Sequence, residues 1–99
     1  MKHFLIEITY TAPMERVDEV LAEHRAFLQN AYDNGMLLYS GRQVPETGGI
    51  VLARAESQEA LEMFFAGDPY KKAEVAQYRF VEFTPGKHQG FMHDWIAGN

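Results

Sequence analysis

Along residues 3–11, HFLIEITYT, apolar side chains fall on alternate positions. Phe4, Ile6, Ile8 and Tyr10 share one side, while His3, Leu5, Glu7 and Thr9 make a mixed second side. A period of two predicts a strand whose apolar side packs on helices. Ala12-Pro13 breaks it. From Met14 to Asn34 the period lengthens: Val17, Val20, Leu21, Phe27, Leu28 and Ala31 recur at helical spacing and form one stripe. Gly35 ends that helix as a residue able to take positive φ. Residues 36–44 (MLLYSGRQV) and 50–56 (IVLARAE) read as two strands of a hairpin, with Pro45-Glu46-Thr47-Gly48-Gly49 as its turn. Ser57 caps a second helix with an acidic first turn, and Ala60, Leu61, Phe64 and Phe65 carry its apolar stripe. Asp68-Pro69 starts a further helical turn, aspartate as cap and proline at the first helical position. Residues 76–85 (AQYRFVEFTP) close the pattern as a fourth strand. The order βαββαβ predicts an α+β, ferredoxin-like domain: a four-stranded antiparallel sheet with helices on one face.

The two later strands are apolar in both phases, with Ile50, Leu52, Val51 and Ala53 in one and Tyr78, Phe80, Val81 and Phe83 in the other. Helices on one face leave the second face in need of cover, and a second copy of the chain is its simplest source. Beyond the last strand, Phe91, Met92, Trp95 and Ile96 mark residues 86–99 as a docked arm of a single domain spanning 1–99, with its core in 3–85. The pattern does not say whether the arm docks on its own chain or on a partner.

Composition narrows the classes of function. Ninety-nine residues, 46% of them apolar, suffice for one core. Without cysteine there is no disulfide framework and no thiolate chemistry, which fits a reducing cytoplasm. Glu7 interrupts the short apolar N-terminal stretch, so it does not read as a signal peptide, and no apolar run reaches membrane-spanning length. Fourteen acidic against nine basic residues give a net charge of −5, and only Lys71-Lys72 pairs two cations. Nucleic acid and membrane are therefore not expected partners.

One residue interrupts the helical stripe. His24 projects near its middle, facing the core, where an unsatisfied ring nitrogen would cost about 1–3 kcal/mol. It is either a core histidine satisfied by a backbone carbonyl or water, or an imidazole in a cleft between helix and sheet that acts as general base or acid. Asp68 is either an ordinary helix start or a cap whose second oxygen also receives an imidazole N–H. Arg42 on the second strand is either solvated or salt-bridged, or holds an anionic substrate. Tyr70 either packs or donates a hydrogen bond into a cleft. His88 and His93 in the arm lack a recognisable metal-ligand spacing, and His3 reads as a surface residue. Gly48-Gly49 is not a phosphate loop, since no helix follows it, and Ser40 lacks a nucleophile-elbow setting.

His24, Gly35 with Leu37-Leu38 and Gly41, Gly48-Gly49, and Asp68-Pro69-Tyr70 together resemble the YciI-like (YCII-related) domain family over residues 3–85. That resemblance implies a ferredoxin-like fold that dimerises sheet to sheet, as dimeric α+β barrels do. It also implies a cleft in which His24 and Asp68 form a catalytic dyad. Some relatives remove chloride from hydroxylated aromatic rings, and the fold is similar to that of muconolactone isomerases. The implied chemistry is lyase- or isomerase-type proton transfer on a small cyclic or aromatic compound, with no metal or organic cofactor. Gly41-Arg42 and Ala73-Glu74 depart from the Gly-Pro and Ala-Gly of many members, so substrate preference does not carry over. The alternatives are a non-catalytic dimeric module that binds a small molecule or assists a pathway enzyme, and, by fold analogy alone, a cofactor-free oxygenase.

Overall fold

In a computed structural model describing residues 1–99, β1 (Lys2–Tyr10), β2 (Leu37–Arg42), β3 (Gly48–Ala55) and β4 (Ala76–Phe83) form one antiparallel sheet in the order β2-β3-β1-β4. This is the ferredoxin-like arrangement expected from the element order. The register explains the core. Phe4 lies opposite Ala53, Ile6 lies between Val51 and Phe80, and Ile8 lies between Gly49 and Tyr78. Those residues face the helices, and Phe4 and Ile6 are completely buried.

The first helical pattern is parted into α1 (Met14–Glu19) and α2 (Leu21–Asp33) at Val20. There the backbone N–H bonds to Val17 O in a tightened turn, and a β-branched residue is a poor helix former. The inward stripe survives the break: Val17, His24, Leu28 and Ala31 are all buried. Gly35 ends α2 at φ 82°. Ser57 caps α3 (Gln58–Phe65) by accepting from the Ala60 amide, and Leu61 and Phe65 bury its inner face while Ala60 stays exposed. Asp68 caps α4 (Pro69–Lys72), whose N1 is Pro69. After α4 the chain turns back at Glu74, which holds φ 57°. Only a residue without a Cβ takes that left-handed conformation without strain, and it falls where the family resemblance leads one to expect glycine.

Two expectations are corrected. Gly48 and Gly49 do not sit in the hairpin turn; they begin β3, paired with β1 and, at Gly49, with Arg42. A Cβ on Gly48 would lie 1.7 Å from Ile8 O, so the strands close only over a glycine. His3 is buried, not surface-exposed. Its Nε2 is 3.2 Å from Ile96 O, and the ring meets Trp95 edge-on at 5.4 Å. In the C-terminal arm, outside the βαββαβ core, α5 (His93–Ile96) lies against the opposite face of the sheet. The arm thus docks on its own chain. The Arg54 guanidinium pins it, Nε donating to Gly35 O (2.8 Å) and Nη1 to Trp95 O and Asn99 O, with the cation 4.7 Å above the Trp95 ring.

Candidate active site

The stripe of α2 and the cap of α4 converge. His24 Nδ1 lies 2.7 Å from Asp68 Oδ1, with Asp68 fully enclosed and His24 nearly so. The same Oδ1 accepts the Tyr70 backbone N–H at 3.0 Å, and Oδ2 accepts the Tyr78 hydroxyl at 2.7 Å. Both oxygens act purely as acceptors, as an ionised carboxylate does, so Nδ1 must be the protonated ring nitrogen. Three donors from three elements thereby satisfy one buried charge. The neutral ring then carries its lone pair on Nε2. No protein group bonds to Nε2, yet no sealed side-chain nitrogen or oxygen lacks a partner. Nε2 therefore opens on the cleft beside it.

Tyr70 sets the plane of the ring. It stacks on His24 with centroids 3.7 Å apart and planes 4° from parallel, and Tyr10 meets Tyr70 edge-on at 5.9 Å. Burial, and then the neighbouring Tyr10 and Asp68, push the Tyr70 phenol well above the ordinary range. Burial, and then the hydrogen bond to Asp68, do the same to Tyr78. Both phenols stay protonated at physiological pH, so Tyr78 is a constant donor.

The cleft, about 280 Å³, lies between α1–α2 and the ends of β1, β2 and β3. Its walls include Ile8, Val17, Leu21 and Leu28, and His24 and Tyr70 face it. Gly49 leaves the strand side low, since it sits on the helix-facing phase without a side chain. Arg42 stands at the rim with its Nε 3.6 Å from Glu46 Oε1, both side chains largely solvated. The salt-bridged state considered from sequence is therefore the one present. Ser40 also lines the cleft and shares a 2.5 Å hydrogen bond with Tyr32.

His24, Asp68 and Tyr70 are thus brought into one cluster, and Arg42 shares the cleft at its edge. Tyr78 was missed as a polar member. Its signal was its place on the inward phase of β4, between Ala76 and Phe80, where a phenol must find a partner.

Comparison with known proteins adds the following. The family model for the YCII-related domain matches residues 1–84. No curated protein matches the chain. Among solved structures, the chain is similar to 5-chloro-2-hydroxyhydroquinone dehydrochlorinase (TftG) from Burkholderia phenoliruptrix AC1100, determined in complex with 2,5-dihydroxybenzoquinone. The TM-score is 0.66 at 22% identity, covering 90% of this chain and 97% of that one. Likeness at this identity speaks for the fold.

Proposed function

The chain belongs to the YCII-related domain family, and from that premise we propose that it is a small-molecule enzyme in which His24 transfers a proton. The observation that carries this reading is the 2.7 Å Nδ1–Asp68 contact with Nε2 left open to the cleft. A buried carboxylate on Nδ1 directs the lone pair of the neutral ring to Nε2. It also stabilises the imidazolium formed when Nε2 takes a proton, so the same nitrogen serves as base and then as acid. Tyr70 holds the ring by stacking. Arg42, once parted from Glu46, is the rim group suited to an anionic oxygen. The mixed lining, apolar at Ile8, Val17, Leu21 and Leu28 and polar at His24, Arg25 and Arg42, and the small volume suit a single cyclic or aromatic compound that carries polar groups. Proton removal from such a ring serves dehydrochlorination and lactone isomerisation alike, which is consistent with the dehydrochlorinase on the same fold.

A panel containing 2,5-dihydroxybenzoquinone, hydroxylated aromatic acids and lactones tests the reading. Binders are expected to raise the melting temperature and to shift the His24 ring signals in NMR. Binders that raise it while leaving those signals unmoved would point instead to a non-catalytic binding module.

The second sheet face supports assembly into a dimer. Leu5, Ile50, Leu52 and Val81 are only half-buried there, and Tyr39 beside them is 64% exposed. The docked arm is hydrogen-bonded to the sheet at the His3–Arg54 end. Sedimentation is expected to show at least a dimer, and a stable monomer at micromolar concentration would refute it.

A further inference from the structure

The two oxygens of Asp68 are held differently. Oδ1 receives two donors, His24 Nδ1–H from α2 and the Tyr70 amide from α4, whereas Oδ2 has Tyr78 alone, from β4. A carboxylate held at one oxygen can still turn about its Cβ–Cγ bond, and a donor on the other oxygen removes that freedom. Tyr78 is itself fixed, with the Phe65 ring at 5.4 Å, the Phe80 ring stacked at 6.5 Å and the Lys71 ammonium 5.6 Å over its face. It takes no part in lining the cleft and so reaches nothing bound there.

The geometry points to Tyr78 as a positioning residue of the His24–Asp68 pair: it locks the carboxylate plane so that Oδ1 faces Nδ1–H and Nε2 keeps its lone pair toward the cleft. Without that lock the acceptor swings out of line, and the imidazole reverts toward the Nε2–H tautomer that a free ring prefers. Partial burial and the bond to Asp68 make the phenol a weaker acid than an ordinary tyrosine, so the clamp stays made at physiological pH. The consequence for turnover rests on His24 being the proton-transfer group; the clamp itself can be tested without substrate.

Nitrogen-15 NMR of the imidazole rings in the wild type, Tyr78→Phe and Phe80→Leu makes the test. In the wild type the neutral His24 ring is expected to be protonated at Nδ1. In Tyr78→Phe the Nδ1–H signal should be lost and the Nε2–H form should become the majority. Phe80→Leu removes packing from the same aromatic cluster without touching the carboxylate, so it should keep the wild-type tautomer. An unchanged tautomer in Tyr78→Phe, or an equal change in both variants, overturns the proposal. A second measurement needs no variant. The Tyr78 hydroxyl proton should be protected from solvent exchange in the wild type, and free exchange would overturn the proposal even if Tyr78→Phe failed to fold. A protein that passes both measurements yet turns over no ring compound would defeat the proposed activity and leave the clamp standing. Turnover in a protein that fails them would do the reverse.

Discussion

Replacing Asp68 with alanine is expected to cost about 3–5 kcal/mol of folding stability, near the top of the range for a single substitution. The variant strands three donors that now share one acceptor: His24 Nδ1–H, the Tyr70 amide and the Tyr78 hydroxyl. Each buried donor left without a partner costs about 1–3 kcal/mol, and loss of the α4 cap adds about 0.5–2. These costs are not independent, because water can enter the space the side chain vacates and satisfy some of the donors. For a chain of this length the fall in melting temperature should be roughly 15–25 °C. Asp68→Asn keeps a capping oxygen and most of the volume, so it should lose much less. Thermal or denaturant unfolding decides the matter; a loss below about 1 kcal/mol in the alanine variant would mean that water replaces the carboxylate almost completely.

The second large effect is on rate. His24→Ala should lower turnover by about 10²–10⁴-fold, the usual cost of removing a proton-transfer group. Asp68 keeps two of its three donors in that variant, so circular dichroism should show a retained fold. Asp68→Asn should also lose most of its rate, for a different reason. With its oxygen kept on the Tyr70 amide and facing Nδ1–H, the uncharged amide no longer stabilises the imidazolium formed when Nε2 takes a proton. Substrate affinity, measured apart from turnover, should change little in either variant. Should His24→Ala turn over its substrate at the wild-type rate, the histidine is a packing residue.

How much of this was legible beforehand depends on what each residue reveals locally. His24 was visible because helical spacing places it on a stripe of apolar neighbours, and Asp68 because Asp-Pro is a helix start in its own right. Their meeting was implied by the family resemblance and not by the pattern, since forty-four positions separate them and no periodicity measures distance across a fold. Tyr78 was hidden among apolar residues because strand alternation reports which way a side chain points, and says nothing of what its hydroxyl finds. That the arm docks on its own chain was equally out of reach. Arg54 and His3 lie on the outer phase of their strands, where a basic residue ordinarily means solvent. Only tertiary structure shows a carbonyl-rich arm folded over them. The break at Val20 left the stripe in phase on both sides, so pattern alone could not register it.

Asp68 begins a helix and holds the histidine with the same oxygen. Local unfolding of α4, a four-residue segment, would therefore remove the histidine's partner in the same motion. On the proposed reading of His24 as the proton-transfer group, the fraction of molecules competent at any instant follows the fraction in which that one turn is closed, and a transient opening measured by amide exchange at Tyr70 would equally interrupt the proposed reaction. A substitution outside the cleft lining, at Lys72 for instance, would then act on the proposed reaction by changing how long α4 stays wound.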